Sequence, residues 1–260
     1  MKWKTFLSML LFCLLAFNVN GQHDLRLMSY NIRHGVGLDG RLDLERIAEV
    51  INREHLDIVA LQEVDSVTQR TGERDLLSEL GEFTDMYHVY APAIPFEGGK
   101  YGVGLLCRKK PLSFRSVPLP GREEPRVLLL AEFKDYIFCC THLSLTEEDQ
   151  LTSVERIEML LDGENKPVFL AGDLNAEPDS PTIIALQKKF VILTECRGKT
   201  IPADNPQSCI DYILGYVANG SRYQVKMNYV INEPIASDHR PVFVNVSIPE
   251  ICREVEPGIK

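Results

Sequence analysis

Polar side chains of metal-binding and phosphate-binding type stand where apolar runs of the chain begin or end. Asn31 closes "LMSYN", Glu63 closes "IVALQE", His142 closes "FCCTH", and Asp173 closes "VFLAGD" with Asn175 two places on. Asp211 lies inside "CIDYIL", and Asp238 with His239 opens the run "PVFVNVSI". Each has a plain structural reading: the asparagines form turns, Glu63 is a solvated strand end, and His142 is a satisfied structural histidine. Asp211 resists such a reading, because an acid within an apolar strand must be paired or bound to something. Recurring at so many strand ends, these residues read as a pocket gathered from distant sequence along one sheet edge. The donors are dominated by oxygen, which suits magnesium, manganese or calcium rather than zinc. Histidines beside a hard cation suit phosphoryl chemistry, where both offset developing oxyanion charge.

The elements that position them are legible as apolar runs. Strands are expected at 25–31, 57–63, 101–107, 126–133, 136–142, 167–173, 209–214 and 241–248, several of them wholly apolar, as central strands covered on both faces are. Helices supply the cover. Leu44, Ile47, Ala48 and Ile51 follow the helical period behind Asp43. Thr146 and Asp149 make a T-x-x-D start for a helix carrying Leu151, Val154, Ile157 and Leu161. Ser180 before Pro181 caps a third helix, around Ile184 and Leu186. The result is an α/β chain with a mixed sheet rather than a pure βαβ repeat.

Lys2 and Lys4 before the apolar run 6–17, with Val19 and Gly21 preceding Gln22, read as a secretory signal peptide over residues 1–21. The run is too short for a comfortable membrane span, so a secreted or periplasmic protein is expected, with residues 22–260 as one domain and a monomer. Removing the two leader lysines takes the net charge from −9 to −11, so bulk field gives no help in gripping a polyanion. Cys107, Cys139 and Cys140 sit in apolar runs as small hydrophobes, whereas Cys196 and Cys209 could form a disulfide in an oxidising compartment.

Taken in order, "SYNIR", "LQEV", "CTHLS", "AGDLNA", "CIDYIL" and "ASDHRPV" resemble the motifs of the endonuclease/exonuclease/phosphatase superfamily over essentially the whole of residues 22–260. The resemblance implies a four-layer αββα sandwich, two mixed β-sheets flanked by helices, with the site along one edge. It also implies roles. Glu63 would be the principal magnesium ligand, with Asn31 and Asp238 close to the metal, and manganese or calcium as alternatives. Asp173 would orient or deprotonate the attacking water, and Asn175 would hold it or a phosphate oxygen. His239, paired with Asp211, and His142 would contact the scissile phosphate.

The substrate is less legible. The activity expected is metal-dependent hydrolysis of a phosphodiester or phosphomonoester by in-line attack of water. A small phosphoester, a lipid head group and nucleic acid all remain open, as do an endonuclease proper and a non-catalytic binding protein on the same fold. The short links between the motifs disfavour a sphingomyelinase. Arg70 and Arg74 in "TQRTGERD" could fork onto a phosphate, or Arg74 could pair with Asp75 or Glu73 in a solvated loop. Tyr101, after two glycines and Lys100, is a plausible rim residue, and Arg33 and His34 could line the cleft.

Overall fold

A computed structural model describes residues 22–195 and 197–249. Residues 1–21, where a signal peptide is expected, Cys196 and Cys252 lie outside the described residues.

Twelve strands among the described residues form two six-stranded mixed sheets. The first sheet has the order β11-β12-β1-β2-β4-β3, from β11 (Gln224–Val230), β12 (Val242–Pro249), β1 (Gln22–Asn31), β2 (Ile58–Ser66), β4 (Gly99–Cys107) and β3 (Tyr87–Phe96). The second has the order β5-β6-β7-β8-β10-β9, from β5 (Ser113–Leu119), β6 (Arg126–Glu132), β7 (Ile137–His142), β8 (Val168–Asp173), β10 (Asp211–Tyr216) and β9 (Phe190–Ile192).

The sheets face each other over a core that includes Leu27, Ala60, Leu105, Leu129, Phe138, Phe169 and Val244. Alternate residues of the same strands point outward, as the period of two requires. On the first sheet, Met28, Val59, Leu61 and Phe243 pack under α1 (Leu44–Arg53) and α2 (Leu76–Thr84). On the second, Leu128, Cys139, Leu170 and Leu214 pack under α3 (Glu147–Leu161) and α4 (Pro181–Leu186). This is the four-layer αββα sandwich expected from the sequence, and the wholly apolar strands are those covered on both faces. No helix among the described residues is long and apolar enough to cross a membrane.

Three helices begin where the sequence placed them, and two of those have the expected cap: Asp43 accepts from the Arg46 amide and Ser180 from the Ile183 amide. The third differs. Thr146 holds the N-cap position of α3, but its hydroxyl donates to Glu123, and Asp149 accepts from Arg122, so the T-x-x-D pair anchors a neighbouring loop instead of closing a capping box. Helix α2 and strands β3, β5, β9 and β11 were not expected; the exposed residues of β5 and β11 dilute the apolar alternation by which a strand is read.

Topology puts the site at one edge. Strands β1 and β2 are parallel, and so are β7 and β8, so Asn31, His142 and Asp173 lie at the C-terminal ends of central strands. Strand β10 runs antiparallel to β8 and β12 antiparallel to β1, so Asp211 and the Asp238-His239 turn arrive at that same edge.

Candidate active site

Asn31, fully buried at the end of β1, joins the two sheets. Its Nδ2 donates to Glu63 Oε1 and to Asp173 Oδ2, each at 3.0 Å, while its Oδ1 accepts from the Arg33 amide at 3.1 Å. Through its amide nitrogen Asn31 aligns the two carboxylates, close to where a metal is expected.

Glu63 reaches the site through a bulge. Leu61 pairs with Gly104 and Val64 with Gly102, so Gln62 and Glu63 together oppose one residue of β4. Regular alternation would send Glu63 toward the helices, where Leu61 and Val64 already pack. The extra residue and a φ of 56° at Glu63 turn its side chain to the sheet edge instead. Burial, with Asp238 and Asp173 nearby, raises its carboxyl above the ordinary range against the lowering effect of Asn31.

Asp173 sits at the centre. Its Oδ1 accepts from the Asn175 amide at 3.0 Å, and its Oδ2 faces Asn31 Nδ2, His142 Nε2 at 3.5 Å and His239 Nε2 at 3.7 Å. Strand register produces this arrangement, because His142 and Asp211 are the direct partners of Asp173 on β7 and β10. Asn175 adopts a φ of 50°, and its Nδ2 donates to the Leu143 carbonyl at 2.9 Å, which holds the loop after β8 against the end of β7.

The two histidines differ in charge. Burial pushes His239 down, but Asp211 and Asp173 overcome it, and the ring ends at about 10 with its Nδ1 at 2.9 Å from Asp211 Oδ2. Burial pulls His142 down to about 4, so it is a neutral imidazole at ordinary pH. The turn carrying Asp238 and His239 is held by Ser237, whose Oγ donates to the Asn31 carbonyl at 2.7 Å. Asp238 lies at 3.5 Å from Arg33 Nε.

The arginines of "TQRTGERD" have other partners. Arg74 forms a bidentate pair with Glu79 of α2, where Asp75 or Glu73 was the expected alternative partner. Arg70 forks onto the fully buried Asp65 at 2.6 and 2.7 Å, with its guanidinium over the Phe96 ring at 4.5 Å and the Tyr101 ring at 5.6 Å. It therefore braces Tyr101 rather than offering a vacant fork. Burial first, then Glu63 and Glu124, push the Tyr101 phenol upward, and the side chain lines a crevice with His142.

Sequence reasoning missed Arg126. This residue opens β6, is 6 % exposed and pairs with Glu124 Oε1 at 2.8 Å. It shares a crevice with His142 and Tyr101. A cation at the mouth of the apolar run "RVLLLAEF" was the signal that could have found it.

The cluster fits a divalent cation by charge. By formal charge, Glu63, Asp173, Asp211 and Asp238 outnumber by two the cationic groups paired with them, Arg33 and His239. Asp173, Asp211 and His239 bring ligand atoms within 4.8 Å of one another. A protonated His239 clamped by Asp211 is a poor ligand, however, so Glu63 and Asp238 are the better holders of a metal.

The comparisons agree with this architecture. An endonuclease/exonuclease/phosphatase from Beutenbergia cavernae is similar with 25% identity and a TM-score of 0.68, over 87% of this chain and 72% of that one. One from Bacteroides vulgatus matches at 18% identity and a TM-score of 0.72, over 87% of this chain and 99% of the other. A mannosyl-6-phosphatase of Bacteroides thetaiotaomicron matches at 18% identity and a TM-score of 0.67, over 85% and 98%. The family model described as "Endonuclease/Exonuclease/phosphatase family" matches residues 15–239. With its motifs, its two packed sheets and its edge cluster agreeing with that match, the chain belongs to the endonuclease/exonuclease/phosphatase family, whose members are hydrolases of phosphoester bonds.

Proposed function

We propose that this protein is an exported, magnesium-dependent phosphoesterase that hydrolyses a small phosphate ester by in-line attack of water. The observation that carries the reading is Asp173, a buried carboxylate held at one oxygen by Asn175 and flanked at the other by Asn31, His142 and His239. Such a group, fixed and ringed by donors, is built to take a proton from a water it also orients. His239 Nε2 carries positive charge toward the phosphoryl oxygens, and Asp211 holds that charge and the ring's orientation. His142 adds a neutral N–H donor. Glu63 and Asp238, aligned through Asn31 and Arg33, would hold magnesium, which when bound offsets charge developing on the phosphoryl and leaving oxygens. Manganese or calcium fits the same oxygen donors.

The small ester is favoured over a nucleic acid by the state of the arginines. Arg33, Arg70, Arg74 and Arg126 each pair with an acid, leaving these four cations no free track along a phosphate backbone. A protein of similar fold is named as a mannosyl-6-phosphatase, which makes a sugar phosphate the first ester to test. Export follows from the leader at 1–21.

The test is a panel of mannose 6-phosphate, bis(p-nitrophenyl) phosphate and plasmid DNA, with magnesium and with chelator. The expected result is release of phosphate or nitrophenol that chelator abolishes and that changes little between about 50 and 200 mM salt. Cleavage of DNA alone, falling steeply with salt, would replace this reading with an endonuclease.

A further inference from the structure

His142 presents a tautomer problem. A neutral imidazole carries one N–H, and two ring nitrogens must share it. Nε2 faces the Asp173 carboxylate oxygen at 3.5 Å, where a lone pair would be repelled and an N–H is attracted. The proton therefore belongs on Nε2, which leaves Nδ1 an acceptor in need of a donor. Nδ1 is buried and bonded to no protein group.

One candidate donor stands close by. Arg126 Nε is likewise buried and unbonded, although Glu124 holds another nitrogen of the same guanidinium at 2.8 Å. Arg126 and His142 line one crevice, with Tyr101 and Gly102 as part of its wall, whose volume of about 10 Å³ is room for a single water. The positive charge of Arg126 also opposes protonation of His142.

We infer that Arg126 is a positioning residue: through one water in this crevice, its Nε–H fixes His142 as the Nε2–H tautomer. The water accepts from Arg126 Nε and donates to His142 Nδ1, so the ring points its only N–H at Asp173 and the reacting phosphate. The inference rests on the phosphoesterase reading for its consequence in catalysis, but the tautomer stands apart from it.

The experiment is ¹⁵N NMR of the full chain with labelled histidine, His142 being assigned by the signals lost in His142→Gln. Wild type is expected to show a protonated Nε2 and an acceptor Nδ1. Arg126→Met, folded by its thermal transition, is expected to mix the two tautomers and to lower kcat about tenfold with KM within about twofold. Arg126→Lys, which keeps a donor, is expected to restore the tautomer and most of kcat. A protonated Nδ1 in wild type would overturn the inference without any variant. An unchanged tautomer in folded Arg126→Met would do so too, as would a raised KM at constant kcat, since that marks Arg126 as a direct substrate contact. If wild type turns over no phosphoester while the tautomer responds to Arg126, the functional reading fails and the positioning role stands.

Discussion

His239 depends on Asp211 for its charge. Burial alone would neutralise the ring, and the pair of carboxylates, Asp211 first, carries it instead to about 10. A histidine whose folded pKa lies above its unfolded value near 6.5 adds stability that is full below that value and is lost as pH rises toward 10. The same sign governs turnover if the imidazolium is the working form. Asp211→Asn should therefore move the alkaline limb of the pH–rate profile down by a unit or more, with about a tenfold loss of rate near pH 9. A limb that stays in place would show that the charge of His239 does not matter. At this scale the sequence was a good guide to identity and a poor one to partners. The strand-end acids and histidines stood out because polar residues interrupt apolar runs. The pairing of Arg74 with Glu79 and of Arg70 with Asp65 depended on a helix and a turn that the apolar pattern does not reveal.

Between strands, small residues decide whether the functional groups meet. Gly172 precedes Asp173 on β8, and a Cβ there would lie 2.0 Å from the Thr141 carbonyl oxygen, next to His142 on β7. Any side chain would force apart the two strands that pair His142 with Asp173. Gly172→Ala should cost about 1–3 kcal/mol in denaturant unfolding and reduce turnover more than tenfold. Gly163 is the control. Its φ of +78° makes alanine strained, by about 1 kcal/mol, but nothing lies within 4 Å of the new Cβ, so turnover should hold. Equal loss of activity in both variants would mean that general stability, not the β7–β8 contact, sets the rate. The apolar core of β8 was plain from "VFLAGD", yet the bulge that turns Glu63 to the edge was not, because a bulge is a relation between two strands rather than a property of one.

Across the whole molecule, the site is a seam. Asn31 and Glu63 belong to one sheet and His142, Asp173 and Asp211 to the other, so the hydrogen bond from Asn31 to Asp173 exists only when the two sheets pack face to face. The layers and the ordered motifs were readable from the sequence because wholly apolar strands demand cover on both faces. What remained unread was how far the arginines are already paired, and that pairing now favours a compact ester over a long polyanion. The most direct test compares magnesium-dependent hydrolysis of the preferred ester by wild type and by Asp173→Asn, with both melting curves recorded. The account expects a folded variant whose kcat is lower by at least about a hundredfold. A folded Asp173→Asn protein turning over the ester near the wild-type rate would contradict it.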